Sequence, residues 1–297
     1  MTGPTGVGKS AFACALAERV GGEIIGADAF QLYRGIPVLT AQAGDDLQAR
    51  VPHHLTGILD LADRYDAALF LRDAELLIRE IQSRNRVPIL AGGTGLYLKA
   101  LTHGLAKVPP PNPELRAEVN AMTVSDALAR LRELDAAALG QIDTCNPVRV
   151  RRALEIVIQT GRPLAASRTE WKAGNAGIRG VVLMRERQEL RRRIEENVTA
   201  MFAAGVCSEV ARVRHAGDAA KRAIGFREIE ALLDGDLNES ECREAIIHAT
   251  WKYAKRQMTW ARTQFAFASV ELTGRNFPGE SVEEVVRILE GRTGIPD

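Results

Sequence analysis

The sequence predicts an α/β fold with a doubly wound parallel sheet and an inserted, mostly helical domain. Short apolar segments that suit buried strands alternate with amphipathic helical patterns, which is typical of parallel βαβ units. A glycine-rich loop precedes the first helix, and a proline-rich run at residues 108–113 interrupts the alternation. Proline continues neither a helix nor a central strand, so we expect the chain to leave the sheet there.

The predicted elements follow in chain order. Helices are expected at residues 11–20, 67–81 and 96–101, and Gly21-Gly22 ends the first. The strands are expected at 23–27, 87–91, 180–184 and 269–272. Residues 117–158 have helical periodicity almost throughout. We therefore predict three segments: a core at 1–112, an inserted, mostly helical domain at 113–178, and the rest of the core with C-terminal helices at 179–297.

Composition excludes several classes of protein. The 297 residues are 46% hydrophobic, enough for one substantial core. No run approaches the ~18 apolar residues of a membrane span, and no signal peptide is recognisable. We expect a monomeric, cytoplasmic protein with no membrane partner. The four cysteines are far apart and form no C-x-x-C pair, which favours neither a zinc site nor disulfides.

The net charge of +1 is uninformative for a nucleic-acid binder, so local clusters must supply any attraction. Residues 185–193 contain five arginines and two glutamates, and residues 252–262 contain four cations and no acid. Each run alone suits a solvated helix face. The arginines at residues 148–152 could instead bind phosphates through paired guanidinium hydrogen bonds.

The loop at residues 3–10 fits the P-loop pattern G-x-x-x-x-G-K-[ST] and is followed directly by a helix. In such a loop, backbone N–H groups bind phosphate, while Lys9 supplies positive charge and the Ser10 hydroxyl can hold Mg²⁺. A P-loop normally follows a strand, and only Met1 and Thr2 precede it here. We therefore expect the complete gene product to have several apolar residues upstream.

Polar groups follow two of the predicted strands, at the sheet edge where α/β proteins collect ligands. Asp28 could assist a metal, act as a general base, or serve only as a cap or loop carboxylate. Gly92-Gly93-Thr94 could place a hydroxyl in the same crevice or simply form a turn. His53-His54 has no third ligand at metal-like spacing, which favours a structural or hydrogen-bonding role.

Several motifs occur together in one order along the chain. They are the loop at 3–10 and Asp28-Ala29-Phe30-Gln31-Leu32-Tyr33, Val51-Pro52-His53-His54-Leu55, Gly92-Gly93-Thr94-Gly95-Leu96-Tyr97, Arg222-Ala223-Ile224-Gly225-Phe226-Arg227-Glu228 and Lys255-Arg256-Gln257-Met258-Thr259-Trp260. In this combination the sequence resembles the tRNA dimethylallyltransferase (tRNA isopentenyltransferase) family, over almost its whole length.

The resemblance implies transfer of the dimethylallyl group from dimethylallyl diphosphate to N6 of adenosine 37 in the tRNA anticodon loop, with Mg²⁺ as cofactor. It implies that Asp28 is the general base and that Thr94 and Lys9 take part in catalysis. The implied donor-binding residues are Gly3, Pro4, Thr5, Gly6, Val7, Gly8, Lys9 and Ser10, with Ser10 as metal ligand. The implied tRNA contacts are Asp28, Ala29, Phe30, Gln31, Thr94, Arg116, Val148, Arg149, Val150, Arg151, Arg152, Arg222, Ala223, Ile224, Gly225, Phe226, Arg227, Lys255, Arg256, Gln257, Met258, Thr259, Trp260, Ala261 and Arg262.

Two positions depart from the family pattern. Ala29 stands where the family usually has serine, and Asn197 stands where it usually has a second arginine that holds the diphosphate. These departures keep open a tRNA-binding paralogue with weakened catalysis. A P-loop kinase or NTPase, with Asp28 on its metal, is the other alternative.

Overall fold

The computed structural model describes residues 1–105, 108–110, 112–168, 178–215, 217, 220–275 and 278–291. The chain forms two compact units, one comprising Met1–Leu101 with Ala176–Asp297 and the other comprising Thr102–Asn175. The smaller unit thus begins before the proline-rich run, whereas the sequence places the boundary at residue 113. The polar, glycine-containing stretch at residues 173–177, which from its sequence would lead the chain back to the core, lies outside the described residues.

Five strands and thirteen α-helices make up the described regular structure, besides two short 3₁₀ turns. The strands are β1 Gly22–Gly26, β2 His53–His54, β3 Val87–Ala91, β4 Val181–Met184 and β5 Ala268–Glu271. The helices are α1 Lys9–Val20, α2 Asp45–Arg50, α3 Ala67–Ser83, α4 Gly95–His103, α5 Pro113–Ala121, α6 Val124–Leu134, α7 Pro147–Thr160, α8 Leu164–Arg168, α9 Arg187–Ala203, α10 Val206–Arg212, α11 Phe226–Asp234, α12 Glu239–Gln264 and α13 Gly279–Glu290. Among the described residues, no helix is both long and apolar enough to span a membrane.

All strand pairs in the larger unit are parallel. Strand β1 lies between β2 and β3, and β4 pairs with β5. The backbone of Met1 and Thr2 connects the two groups: Met1 N donates to Leu90 O at 2.7 Å, and Thr2 N donates to Val181 O at 3.0 Å. Residues 1 and 2 therefore lie between β3 and β4, and loop 3–10 leaves the middle of the sheet at the carboxyl ends of the strands.

The predicted α/β class with a parallel sheet is confirmed, and the strands lie within one residue of their predicted positions. Side chains of α1 bury against the sheet, with Phe12, Leu16, Leu183 and Val270 at most 2% exposed. The pattern did not reveal β2, because a strand of two residues is too short to have a period.

The described regular structure of the smaller unit is entirely helical. Its core contains Val119, Leu131, Leu154 and Leu164, all fully buried. The proline-rich run ends at Pro113, which occupies the first turn of α5 behind the capping residue Asn112. Proline fits at that position because the first-turn N–H has no intrahelical acceptor.

Candidate active site

Loop 3–10 wraps around the ammonium group of Lys9. Gly6 and Gly8 adopt φ values of 82° and 101°, which favour glycine because it has no Cβ. Lys9 Nζ donates to Gly3 O at 3.0 Å and to Pro4 O at 2.9 Å. Two of its three donors are therefore occupied and one remains. The N–H groups at the start of α1 also lack intrahelical acceptors, so the loop offers several donors to an anion.

Burial lowers the pKa of Lys9 to about 8, although the nearby Asp28 opposes this shift. The ammonium is costly to hold away from water without a counter-charge, because desolvation penalises its charged form. An anion bound in the loop would therefore stabilise the charged form of Lys9.

A cleft of about 240 Å³ opens beside this loop, at the carboxyl ends of the strands. Its lining brings together groups from distant parts of the sequence. They include Thr5, Gly6, Gly8, Lys9, Ser10, Asp28, Gln31, His53, Thr56, Arg193, Asn197, Tyr253 and Gln257. The cleft thus places phosphate-type donors and a carboxylate around one space.

Asp28 follows β1, and its turn is held from both sides. Phe30 N donates to Asp28 Oδ1 at 3.0 Å, and Ala29 N donates to Thr94 Oγ1 at 3.0 Å. The predicted Thr94 therefore supports the turn that carries the carboxylate. Among the described residues, the second oxygen of Asp28 accepts no hydrogen bond, so it can accept a proton from a ligand.

Close packing behind this turn requires glycine at position 92. A Cβ there would lie 2.1 Å from the carbonyl oxygen of Ala27, and a backbone atom cannot move aside as a side chain can. The Gly92-Gly93-Thr94 motif therefore brings β1 and the turn after β3 together.

Tyr253 was missed by the sequence reasoning. It lines the cleft from α12, and its hydroxyl lies next to Thr94 and Gln257. Burial, followed by the charge of Asp28, raises its pKa to about 12. The hydroxyl therefore keeps its proton at neutral pH and can donate a hydrogen bond. Its spacing of four residues from Gln257 was the available signal, because such residues share one helix face.

The arginine-rich run at 185–193 does not form one basic surface. It is therefore neither a uniformly solvated helix face nor a single cluster that attracts nucleic acid. Arg185 is buried and donates to Val7 O at 3.0 Å, while Arg193 donates through Nε to Gly6 O at 2.9 Å. Arg191 and Arg192 instead form exposed pairs with glutamates four residues on. Two arginines of the run thus support loop 3–10. Burial, with repulsion from Arg185, lowers the pKa of Arg193.

The oxygen donors of the cleft fit Mg²⁺ bound together with phosphate. Ser10 and Asp28 both line it. No group of three or more His, Cys, Asp or Glu side chains suited to a metal occurs within the described part of the chain. Mg²⁺ commonly takes one or two protein oxygens and completes its shell with phosphate and water. His53 and His54 instead hydrogen-bond Val51 O and Glu23 Oε2.

A second, larger cleft of about 840 Å³ adjoins the first and shares Thr5, Asp28, Asn197 and Tyr253 with it. Apolar side chains form much of its wall, among them Phe30, Leu39, Ile194, Val198 and Met201. Asp28 therefore lies where a small polar cleft meets a wider apolar one.

The predicted tRNA contacts of the larger unit divide between surface and core. The exposed ones are Arg222, Arg227, Lys255, Arg256, Thr259 and Arg262. Ala223, Gly225, Phe226, Gln257 and Ala261 are buried, and Gln31 donates to the carbonyls of Thr40 and Ala41. The buried members cannot present side chains to a macromolecule in solution.

In the smaller unit, Glu155 forms ion pairs with two arginines that were predicted to contact tRNA. Its carboxylate accepts a paired hydrogen bond from Arg116 at 3.0 and 3.1 Å and another from Arg152 at 2.9 Å. Burial would raise the pKa of Glu155, but these hydrogen bonds prevail and lower it. Val150 is buried, whereas Val148 and Arg149 are exposed. Arg149 is thus the arginine of α7 best placed to meet a phosphate.

Comparisons with known proteins agree with these features. The model of the IPP transferase family matches residues 31–264. The tRNA dimethylallyltransferase of Halorhodospira halophila is 41% identical over 276 residues, 88% of each chain. That of Geobacter sulfurreducens is 41% identical over 279 residues, which cover 91% of this chain and 90% of the relative.

Solved structures share the fold. The tRNA isopentenylpyrophosphate transferase of Bacillus halodurans superposes with a TM-score of 0.72 at 31% identity, covering 98% of this chain and 96% of that one. A eukaryotic dimethylallyltransferase acting on tRNA superposes with a TM-score of 0.84 at 23% identity, covering 100% of this chain and 80% of that one. At that identity the second likeness concerns the fold alone.

Proposed function

The chain belongs to the IPP transferase family, the tRNA dimethylallyltransferases, and from this membership we propose the reaction that it catalyses. It transfers the dimethylallyl group of dimethylallyl diphosphate to N6 of adenosine 37 in the tRNA anticodon loop and releases diphosphate. The family shares a prenyl transfer to tRNA. The proposal adds the identity of the donor and of the acceptor atom.

One observation carries the proposal. The cleft of about 240 Å³ holds Lys9, Ser10 and the start of α1 on one side and Asp28 on another. Phosphate donors and a proton acceptor thus face one space, which continues into the apolar cleft lined by Phe30 and Val198. A prenyl diphosphate needs the first kind of group, and an adenine amine that becomes a nucleophile needs the second.

On the donor side, the carbon–oxygen bond breaks and its electron pair goes to the diphosphate oxygen. Lys9, the N–H groups at the start of α1 and Arg193 meet this developing negative charge with donors already in place. Ser10 would hold Mg²⁺, which would supply further charge neutralisation to the diphosphate. Asn197 lines the same cleft and can donate a hydrogen bond where the family usually has a cation.

On the acceptor side, N6 of the adenine forms the new bond to carbon and gives up a proton to the second oxygen of Asp28. Phe30 N and Thr94 keep this carboxylate in place. The base must be unstacked to reach it, as is usual when proteins read or modify single-stranded RNA. The larger apolar cleft beside Asp28 gives the flat base a surface to lie against.

Within each unit taken by itself, we assign the tRNA contacts to exposed cations. In the larger unit these are Arg222, Arg227, Lys255, Arg256 and Arg262, and in the smaller unit Arg149. Phosphate contacts supply much of nucleic-acid affinity through the release of counterions. Arg116 and Arg152, which pair with Glu155, have less charge to offer.

The test is to incubate the protein with dimethylallyl diphosphate, Mg²⁺ and unmodified tRNA, digest the tRNA, and search by mass spectrometry for prenylated adenosine. A tRNA with guanosine at position 37 is the control and should gain no prenyl group. Binding of tRNA without product would support the paralogue with weakened catalysis. Turnover of ATP without prenyl transfer would support the kinase or NTPase alternative.

A further inference from the structure

The side-chain amide of Gln257 joins two segments of the cleft that are far apart in sequence. It belongs to α12, where Lys255, Arg256 and Thr259 are exposed, yet Gln257 is only 7% exposed. Its Oε1 accepts a hydrogen bond from Thr5 N at 2.7 Å, and its Nε2 donates to Gly93 O at 3.1 Å. Both ends of the amide are therefore used to hold backbone.

The turn after β3 makes room for this contact. A Cβ on Gly93 would lie 2.0 Å from Gln257 Nε2, and a Cβ on Gly95 would lie 2.4 Å from Trp260 Cε3. Two glycines thus let α12 approach the turn closely enough for hydrogen bonding to its backbone. Tyr253, one helical turn before Gln257, lies beside the same amide.

A neutral amide suits this position because it is both a donor and an acceptor. A carboxylate could accept from Thr5 N but could not donate to Gly93 O, and a thioether has no donor. Two further side chains hydrogen-bond the loop: Arg193 of α9 donates to Gly6 O, and Arg185, which directly follows β4, donates to Val7 O. Gln257 supplies a hydrogen bond to the loop from α12, through Thr5 N.

We propose that Gln257 is a positioning residue, which keeps loop 3–10 in its phosphate-binding conformation through Thr5 and Gly93, and that it does not contact tRNA. The resemblance to the family places Gln257 in a tRNA-binding segment, and its burial and its two backbone contacts argue otherwise. This inference rests on the proposed function, because the loop is where that function places the diphosphate of the donor.

The first measurement needs no ligand. Hydrogen exchange followed by mass spectrometry compares the peptide covering loop 3–10 in the wild type and in Gln257→Met, which keeps the side-chain length without the amide. We expect exchange of the loop to accelerate about three- to tenfold, the factor that one net hydrogen bond represents. Lys255→Met, on the exposed face of the same helix, is the matched control and should leave the loop unchanged.

The second measurement distinguishes an effect on donor binding from an effect on tRNA binding. Gln257→Met should raise both the Kd and the KM for dimethylallyl diphosphate by about 10- to 100-fold, because several phosphate contacts depend on one loop. The fall in kcat should be smaller. The Kd for tRNA should stay within about twofold, since Gln257 adds no phosphate contact. Lys255→Met should give the reverse pattern.

Gly93→Ala provides a second variant that keeps Gln257. Its methyl group displaces the end of the flexible Gln257 side chain, so the same defects in loop exchange and donor affinity are expected, even if Gln257→Met folds poorly. Loss of tRNA affinity in Gln257→Met with normal loop exchange and donor binding overturns the proposal. A wild-type protein that binds no dimethylallyl diphosphate would instead refute the proposed function, while the exchange data would still decide the role of Gln257.

Discussion

Replacing Asp28 by asparagine tests the step on which the mechanism most depends. The substitution preserves the shape of the side chain, and its remaining oxygen can still accept from Phe30 N, now at 3.0 Å from Oδ1. The second oxygen, which accepts no hydrogen bond among the described residues, becomes an NH₂ group. The variant therefore keeps the turn and loses the proton acceptor together with its negative charge.

Loss of a general base typically slows a reaction by about 10²- to 10⁴-fold. This factor corresponds to about 2.7–5.4 kcal/mol in the activation free energy. Because the hydrogen bond from Ala29 N to Thr94 does not involve Asp28, the turn should survive, and the Kd values for donor and tRNA should change by only a few-fold. The loss then belongs to the chemical step.

Single-turnover prenylation, with donor and protein in excess over tRNA and rapid quenching, measures that step directly. Lys9→Met is the contrasting variant and should weaken donor binding as well as the rate, since it removes a charge from the phosphate site. If excess Mg²⁺ largely restores Asp28→Asn and donor binding is also weak, Asp28 serves the metal. Near-normal single-turnover rates would refute the role of Asp28 as a base.

Three further outcomes follow from the surface charges, the buried lysine and the helical unit. Alanine at both Lys255 and Arg256 should weaken tRNA binding and flatten the plot of log K against log salt by about 0.7 to 0.9 per lost phosphate contact; an unchanged slope would mark both as solvated surface. Because Lys9 loses its charge as pH rises through about 8, donor affinity should fall about tenfold per unit above that pH. Lys9→Arg should abolish this dependence, and a flat wild-type profile would contradict it. Glu155→Gln should lower the unfolding free energy at pH 7 by about 1–3 kcal/mol, since it weakens hydrogen bonds to two guanidinium groups. That difference should shrink as pH falls through the lowered pKa of Glu155, and equal stability of both proteins in urea at pH 7 would contradict the assignment.

The local patterns of the sequence were sufficient for four of the five described strands, the loop at 3–10 and the order of the motifs. The loop at 3–10 is recognisable because glycines with positive φ, a lysine and a hydroxyl must follow one another at fixed spacing. The strand ending before Asp28 is recognisable because it is a short apolar segment bounded by glycines, and in the structure all five of its residues are buried. Both features depend on neighbouring residues, and a linear pattern records them.

Other features were decided by packing between distant segments. The run at 185–193 is a row of similar arginines in the sequence, but in the structure Arg185 and Arg193 face loop 3–10 while Arg191 and Arg192 pair with glutamates. Composition counts these charges equally. Only the direction of each side chain on α9 determines which ones support the loop and which ones remain in solvent.

By itself the sequence determined the α/β class, the glycine-rich loop at 3–10, the carboxylate after β1 and the family to which the chain belongs. Tertiary structure alone decided that Tyr253 lies beside Thr94 and that Gln257 accepts a hydrogen bond from Thr5, 252 positions away in the sequence. It also decided that Glu155 forms ion pairs with two of the arginines expected to bind tRNA. The physical reason is that motifs depend on local backbone geometry, whereas burial and hydrogen bonding between remote residues exist only once the helices have packed against the sheet.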